Sequence, residues 1–316
     1  MGAEVTANPG LKICVIGLGS MGLGIAGSLL RGGFDVVGCD AAPEAAARFA
    51  ALGGKMAGLT DAAKAADVVI SVVVNASQTE TVLFGPDGAA ALMAKGGTLM
   101  SCATMAPDAA RGFAARAAAL GLGYLDAPIS GGAARAAAGD LTIMASGPPE
   151  TFARLRPVLN CIAAKVYELG NDAGIGAAFK IVNQLLAGVH IAAACEAVTF
   201  AAAMGLDLTK VYEVITASAG NSWMFENRVP HILDGDYAPR SAVDIFTKDL
   251  GIVTDIGRGL KFPTPVASMA LQMFVMTAAA GMGRDDDASV ARMIADLAGI
   301  ALPQPKPNPE PIGANP

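Results

Sequence analysis

The chain has 316 residues, of which 53% are hydrophobic and 16% charged, enough material for two domains with a large core. Its formal net charge of −6, without basic clusters, argues against nucleic-acid binding. With only two histidines and five cysteines that lack metal-ligand spacing, the sequence predicts reduced thiols and no metal site. It has no secretory signal and no uninterrupted apolar run of membrane length, so we predict a cytoplasmic protein without a membrane span.

Short β-branched and apolar runs alternate with Ala-rich helical stretches over the first half of the chain, which is typical of a parallel sheet covered by helices. The predicted strands are Leu11–Ile16, Phe34–Cys39, Asp67–Val74, Thr98–Ser101, Gly123–Asp126, Leu141–Ala145 and Lys165–Glu168. We therefore predict an α/β fold for residues 1–171, with a Rossmann-type, doubly wound and mostly parallel sheet.

The first predicted strand leads directly into Gly17-Leu18-Gly19-Ser20-Met21-Gly22 and then into an apolar helix. In this G-x-G-x-x-G pattern, Gly17 permits a tight turn, Gly19 lets the backbone approach a pyrophosphate, and Gly22 lets helix and strand pack closely. The alternative is an ordinary glycine turn. In this context, the pattern predicts a dinucleotide-binding site.

The second predicted strand ends at Asp40, whose carboxylate can accept hydrogen bonds from an adenosine ribose. The same charge repels a 2′-phosphate, and no arginine before Arg48 is present to bind one, so we predict NAD as cofactor rather than NADP. The alternative for Asp40 is a helix cap.

Strand patterns end near Asn171, and an all-helical domain is predicted over residues 172–302. Asn171 and Asp172 can cap its first helix, which continues without a proline to about Met204 and is apolar on nearly every side. Residues 303–316 contain six prolines and are predicted to form an extended or disordered tail.

Lys180 is the one charged residue in an apolar stretch of this long helix, and its desolvation is unfavourable without a partner or a chemical role. Asn183 and Gln184 follow at i+3 and i+4, so all three side chains can share a helix face. The alternative is a lysine whose amine reaches solvent at the edge of a buried helix.

Four stretches together resemble the signatures of the β-hydroxyacid dehydrogenases. They are residues 17–22, residues 126–132 (Asp-Ala-Pro-Ile-Ser-Gly-Gly), residues 176–184 around Lys180, and residues 248–251 (Lys-Asp-Leu-Gly). The resemblance implies that Lys180 is the general acid/base and that Ser130, Gly131 and Gly132 bind the substrate carboxylate. The family commonly has Asn four residues after the lysine. Gln184 stands there in this chain, so Asn183 remains a second candidate for orienting the substrate.

Further positions carry over from the same resemblance. Thr104 would contact the cofactor, with the N-cap of a helix near Pro107 as its alternative role. Lys248 would lie near the nicotinamide, with a solvated helix lysine as the alternative. Asn221, Ser222 and Trp223 would line the substrate pocket, while His190 and His231 are predicted to be structural.

Residues 184–192, 220–228 and 239–246 resemble one branch of the family, and this resemblance implies NAD-dependent oxidation of the C2 hydroxyl of a four-carbon sugar acid, L-threonate, to the 2-oxo acid. The alternatives are 3-hydroxyisobutyrate dehydrogenase activity, tartronate semialdehyde reductase activity, or a non-catalytic NAD-binding relative. Imine reductase activity on the same fold is disfavoured by Lys180. The resemblance also implies a homodimer or homotetramer that binds a small hydroxy-acid substrate, with neither nucleic acid nor membrane as a partner.

Overall fold

Strand β1 (Lys12–Ile16) is buried except at its first residue, and its side chains alternate between two separate cores. Ile13 and Val15 belong to one hydrophobic cluster, and Cys14 and Ile16 belong to the other. Because successive strand side chains point to opposite faces, this sheet is covered on both sides, as parallel sheets require.

Six parallel strands form the main sheet in the order β3-β2-β1-β4-β5-β6. The strands after β1 are β2 (Asp35–Cys39), β3 (Lys55–Met56), β4 (Val68–Ser71), β5 (Thr98–Ser101) and β6 (Gly123–Asp126). The strand order reverses between β1 and β4, and ligands of such sheets bind at the carboxyl ends of the strands beside this point. The predicted α/β doubly wound fold is confirmed.

A second sheet of three strands follows, formed by β7 (Ile129–Ser130), β8 (Leu141–Ala145) and β9 (Ala163–Glu168). Strand β7 is antiparallel to β8, and β9 is parallel to it. All seven predicted strands are present. The sequence did not indicate β3 and β7, because a two-residue strand is too short to show alternation.

The structure is a computed structural model that describes residues 10–305, and the chain divides into two compact units, Met1–Val182 and Asn183–Pro316. The predicted domain boundary at 171 marks the end of the strands and stays a prediction, since the units divide within a helix. Residues 306–316 of the predicted tail lie outside the described residues.

Helices cover the sheets of the first unit, and the last of them continues into the second unit. They are α1 (Ser20–Arg31), α2 (Pro43–Ala51), α3 (Leu59–Ala65), α4 (Ala76–Thr79), α5 (Ala89–Leu92), α6 (Pro107–Ala119), α7 (Gly132–Ala138), α8 (Pro149–Ile162) and α9 (Ile175–Ala203). A short π-helical turn, Glu80–Phe84, follows α4.

The long helix α9 confirms the predicted helix, but its predicted cap is wrong. Asn171 and Asp172 are both exposed. The N–H groups of Gly174 and Ala177 instead donate to the carboxylate of Asp126, at 2.8 and 2.9 Å. The cap therefore comes from the end of β6, a tertiary contact that local sequence does not reveal.

The second unit is helical, and its described residues contain no strand, in agreement with the prediction. Its helices after α9 are α10 (Leu208–Thr216), α11 (Trp223–Asp234), α12 (Val243–Gly259), α13 (Pro265–Thr277) and α14 (Val290–Ala298). A π-helical turn (Ala278–Met282) and a 3₁₀ turn (Asp287–Ser289) connect the last two helices.

Candidate active site

The glycine-rich turn between β1 and α1 requires glycine at two of its positions. Gly17 has φ +89°, and a Cβ there would lie 2.6 Å from the carbonyl oxygen of Val72 at the end of β4. A Cβ on Gly22 would lie 1.8 Å from the carbonyl oxygen of Gly17. The turn therefore packs tightly between β1 and β4, at the edge where the strand order reverses.

The N-terminus of α1 is open on the side that a phosphate would occupy. Gly19 is its N-cap residue, and no side chain caps the helix there. A Cβ built on Gly19 meets no heavy atom within 4 Å, and Gly19 and Ser20 are exposed. Backbone N–H groups and the helix dipole at such an end attract a pyrophosphate. Leu18 is fully buried, and its N–H donates to Asp40.

Asp40 lies against the glycine-rich turn, as predicted from its position after β2. Its carboxylate accepts hydrogen bonds from the N–H of Leu18 at 2.5 Å and of Ala42 at 2.8 Å. The N-cap of α2 is Ala42, so Asp40 is not the cap residue of that helix. Arg48 donates to the carbonyl oxygen of Leu18 at 3.4 Å, which places a guanidinium beside the same turn.

Ser130, Gly131 and Gly132 connect β7 to α7 through backbone that favours glycine. Gly131 has φ +136° and Gly132 has φ +79°. Ser130 is half-buried and pairs with Thr142 of β8, and a Cβ on Gly132 would meet open space. This loop can present N–H groups and a hydroxyl to an anion.

Lys180 is buried, with 6% of its surface exposed, and lies in the second turn of α9. Such burial argues against the alternative of a lysine whose amine is largely in solvent. Gln184, four residues later in the same helix, lies on the same helix face.

The two amides after Lys180 differ in their contacts. Gln184 is 7% exposed, and its Nε2 donates to Asp249 Oδ2 at 2.5 Å, while its Oε1 accepts from Asn183 Nδ2 at 2.9 Å. Lys248 Nζ lies 2.8 Å from Asp249 Oδ1, and the Asp249 side chain is 1% exposed. The buried carboxylate of Asp249 thus contacts Gln184 and Lys248 directly, and Asn183 is linked to it through Gln184.

Thr104 is half-buried in the segment that follows β5, at the carboxyl edge of the main sheet. Helix α6 begins at Pro107 with Ala106 as its N-cap. The alternative role of Thr104 as that N-cap residue is therefore excluded, and its contact with the cofactor stays a prediction.

Asn221 and Ser222 line an apolar cavity of about 790 Å³ in the second unit, and Gln184, Lys248 and Trp223 are not among its lining residues. The Asn221 amide already donates to the carbonyl of Thr216 at 3.1 Å and to Glu226 at 2.6 Å. Ser222 caps α11. Trp223 is 55% exposed.

The two histidines differ in their surroundings. His231 Nδ1 lies 2.8 Å from Asp286 Oδ1, a buried pairing that is consistent with the predicted structural role of His231. His190 is half-buried and lines the same apolar cavity. Among residues 10–305, no group of three or more His, Cys, Asp or Glu side chains could hold a metal ion.

Comparison with known proteins decides the family. Residues 12–170 match the family described as the NAD binding domain of 6-phosphogluconate dehydrogenase. Residues 174–294 match the one described as NAD-binding of NADP-dependent 3-hydroxyisobutyrate dehydrogenase. An L-threonate dehydrogenase from Cupriavidus necator is 54% identical over 293 residues, which cover 92% of this chain and 98% of that protein. This chain belongs to the 3-hydroxyisobutyrate dehydrogenase-like family of β-hydroxyacid dehydrogenases.

Further relatives agree with that assignment. An L-threonate dehydrogenase from Pectobacterium atrosepticum is 48% identical over 299 residues, covering 94% of this chain and 97% of that protein. A crystal structure described as 3-hydroxyisobutyrate dehydrogenase from Salmonella typhimurium is 49% identical, with a TM-score of 0.85, and the match covers 90% of this chain and 99% of that one. The β-hydroxyacid dehydrogenase is therefore an oxidoreductase.

NAD is the cofactor of this β-hydroxyacid dehydrogenase, and the residues of the first unit fit it. The open space at Gly19, the uncapped start of α1 and the carboxylate of Asp40 lie around one turn. Those residues would hold the pyrophosphate and the adenosine ribose.

Four residues, three in the first unit and one in the second, were not assigned a role from sequence: Arg48, Asp126, Ser146 and Asp249. Asp249 carried a usable signal, because a carboxylate stands among the buried face residues Phe246, Leu250 and Val253 of α12. A charged residue at a core position of an amphipathic helix indicates a buried partner. The other three contact backbone atoms that are distant in sequence, and such contacts leave no local pattern.

Proposed function

We propose that this enzyme oxidises the C2 hydroxyl of L-threonate to the 2-oxo acid with NAD. The observation that carries the proposal is the identity of 46–54% to five curated proteins named L-threonate dehydrogenase, over 92–94% of this chain. The buried amine of Lys180 supports it, because alcohol oxidation requires a base beside the reacting hydroxyl.

Lys180 takes the proton from the C2 hydroxyl during oxidation and returns it in the reverse direction. NAD, when bound, would supply the acceptor for the hydride that leaves C2. Ser130, Gly131 and Gly132 hold the substrate carboxylate through backbone N–H groups and the serine hydroxyl. Gln184, held by Asp249, orients the substrate, with Asn183 acting through its hydrogen bond to Gln184. Trp223 and Asn221 stay candidates for contacts with the remaining hydroxyls.

Thr104, Lys248 and Asp40 complete the cofactor contacts in this proposal. Asp40 disfavours a 2′-phosphate and so selects NAD over NADP. Arg48 works in the opposite direction, because its guanidinium lies beside the same turn and could pair with such a phosphate. We expect NAD to be preferred because Asp40 lies closer to that turn, 2.5 Å from the Leu18 nitrogen, whereas the Arg48 guanidinium lies 3.4 Å from the Leu18 carbonyl oxygen.

Oxidation of 3-hydroxyisobutyrate is the second candidate, favoured by the description of the Salmonella typhimurium structure at 49% identity. Initial rates on hydroxy acids of three to five carbons, with NAD and with NADP, separate the two. We expect the highest kcat/KM for L-threonate with NAD. A higher kcat/KM for 3-hydroxyisobutyrate would reject L-threonate as the substrate.

Lys180→Met tests the chemistry. Loss of a positioned acid/base group lowers the rate by about 10²- to 10⁴-fold, so we expect kcat for L-threonate to fall in that range. NAD binding, measured by fluorescence titration, should be unchanged. The control is Lys64→Met, which removes an exposed lysine from α3 and should leave kcat unchanged. Full turnover by Lys180→Met would contradict the mechanism.

We also propose a cytoplasmic homo-oligomer. Helix α9 and the segment Pro265–Met282 are long and apolar enough to span a membrane by length and composition alone, but buried helices of other proteins pass the same test. Large apolar side chains of the second unit are exposed in the single chain, among them Phe200 (64%), Val214 (61%) and Met269 (68%). A second copy would cover them. The five free thiols support a reducing compartment.

A further inference from the structure

The start of helix α9 is bonded to two buried side chains from other parts of the first unit. Asp126 Oδ2 accepts from the N–H groups of Gly174 and Ala177 at 2.8 and 2.9 Å. Ser146 Oγ accepts from the N–H of Gly176 at 2.9 Å and donates to Asp126 Oδ2 at 3.3 Å. The first N–H groups of a helix have no partner within it. Here, two side chains satisfy three of them.

The helix end lies directly against the sheets. A Cβ on Gly176 would lie 2.3 Å from the carbonyl oxygen of Met144 and 3.0 Å from that of Asp126. The backbones of Asp126 and Ser146 also pair with each other, at 3.0 and 2.8 Å. Asp126 and Ser146, with the N–H groups that they bind, therefore form a tight junction between the end of β6, the end of β8 and the first turn of α9. We call this junction the anchor.

The anchor lies between Lys180, the proposed acid/base, and the proposed carboxylate-binding loop that contains Ser130. Lys180 lies three residues after Ala177, less than one helical turn from the anchored N–H. The loop that contains Ser130 begins four residues after Asp126 in the chain. Any shift of the anchor changes the position of the amine relative to the loop.

We propose that Asp126, together with Ser146, is a positioning residue that fixes Lys180 relative to the carboxylate-binding loop at Ser130–Gly132. The Lys180 part of this inference rests on the proposed function. A carboxylate suits the position because charge-assisted hydrogen bonds are the stronger ones and a negative charge is favourable at a helix N-terminus. Burial raises the pKa of Asp126, and the bonds from Ala177, Gly174 and Ser146 oppose that rise.

The test compares Asp126→Ala, Asp126→Asn and Ser146→Ala by steady-state kinetics. A misplacement of about 1 Å can lower a rate by about 100-fold, so we expect kcat to fall about 100-fold in Asp126→Ala. Asp126→Asn keeps an oxygen acceptor, so its kcat should be roughly tenfold higher than that of Asp126→Ala. The kcat of Ser146→Ala should also fall, but by less than that of Asp126→Ala. The KM for NAD should stay within about twofold, because the glycine-rich turn is untouched.

Matched controls separate positioning from general destabilisation. Asp287→Asn alters another fully buried carboxylate, which pairs with Arg228 in the second unit. Ser28→Ala removes another buried hydroxyl, which donates to the carbonyl of Ala136. Both should lose stability but retain kcat. The inference is overturned if Asp126→Asn and Ser146→Ala keep the wild-type kcat. It is also overturned if kcat falls as far in the two controls as in these variants. Asp126→Asn and Ser146→Ala decide the result even if Asp126→Ala does not fold.

Two readouts without substrate distinguish this inference from the proposed function. Amide hydrogen exchange at Gly174, Gly176 and Ala177 should be slow in the wild type and faster in all three variants. The labelling rate of Lys180 by an amine-reactive reagent should change in the same variants, while that of exposed Lys64 should not. If the wild type oxidises no hydroxy acid, the proposed function fails, and these readouts still decide the anchor. Unchanged exchange and labelling would overturn it.

Discussion

Asp249 contacts two polar side chains of the second unit, Gln184 and Lys248, for which the sequence predicts a role. Its Oδ2 accepts from Gln184, and its Oδ1 lies 2.8 Å from the amine of Lys248. With a side chain 1% exposed, this carboxylate has no solvent to replace either partner. Of the two amides, Asn183 and Gln184, it is Gln184 that Asp249 holds in a fixed orientation.

Asp249→Ala should therefore affect both stability and turnover. Leaving buried polar partners unpaired costs about 1–3 kcal/mol, and we expect the free energy of unfolding in urea to fall by that amount. The kcat/KM for the hydroxy acid should fall about tenfold or more as Gln184 loses its orientation. Asp255→Ala, on the same helix, removes an exposed partner of Arg258 and should change neither quantity measurably. Equal effects of the two variants would argue against this role for Asp249.

At the scale of elements, helix α11 is joined to the turn before α14 by adjacent carboxylates. Asp287 pairs with Arg228 of α11, with oxygen–nitrogen distances of 2.5 and 3.0 Å. Asp286 accepts from His231 of α11 and from the N–H groups of Arg240 and Ala288. Burial by itself raises the pKa of Asp286, but these hydrogen bonds outweigh it and lower the pKa below its ordinary value of 3.8.

The lowered pKa of Asp286 predicts how this attachment depends on pH. A carboxylate with a lower pKa in the folded state stabilises the protein above the unfolded value, and the contribution is lost as pH falls through the folded value. We expect the difference in free energy of unfolding between the wild type and Asp286→Asn to be largest above about pH 5 and to shrink below about pH 4. Urea titrations across this range measure it.

Asp236→Asn is the control for that measurement, because the Asp236 side chain is 44% exposed and pairs with Arg240 at the surface. Surface pairs contribute about 0–1 kcal/mol, so its difference from the wild type should be small at every pH. A wild-type advantage over Asp286→Asn that grows on acidification would contradict the assignment.

At the scale of the whole molecule, the apolar surface of the second unit exceeds what a single chain covers. The cavity of about 790 Å³ is lined by alanines of α9 together with Met204, Val211, Val214 and Phe225. Met204 and Val214 are also 54% and 61% exposed. Exposed apolar side chains clustered around an apolar cavity are typical of an interface between subunits.

The combined substitution Met204→Glu and Val214→Glu tests this interface. The wild type should have a mass in solution of at least twice 31.6 kDa by light scattering, and the variant should approach 31.6 kDa because charges do not pack into an apolar interface. Leu297→Glu places the same charge at another exposed apolar position, 72% exposed on α14, and should leave the assembly intact. A monomeric wild type would reject the oligomer.

The sequence by itself determined the features that depend on local periodicity and local backbone geometry. The sequence predicts the seven strands, the long helix after residue 171 and the glycine-rich turn. Each of them depends on alternation, apolar runs or glycine spacing, which extend over only a few residues. The position of Asp40 at the end of β2 was also predicted from local pattern, because the strand run ends there. Lys180 was identified because burying a single charged amine in an apolar helix has an unfavourable free energy of desolvation.

Tertiary structure alone decided which groups those residues contact. The cap of α9 comes from Asp126, 48 and 51 residues away from the N–H groups it accepts, and not from the adjacent Asn171 and Asp172. The partner of Gln184 is Asp249, 65 residues later. A hydrogen bond between residues so far apart imposes no spacing on the sequence, because the fold brings its two ends together and any intervening length is compatible with it.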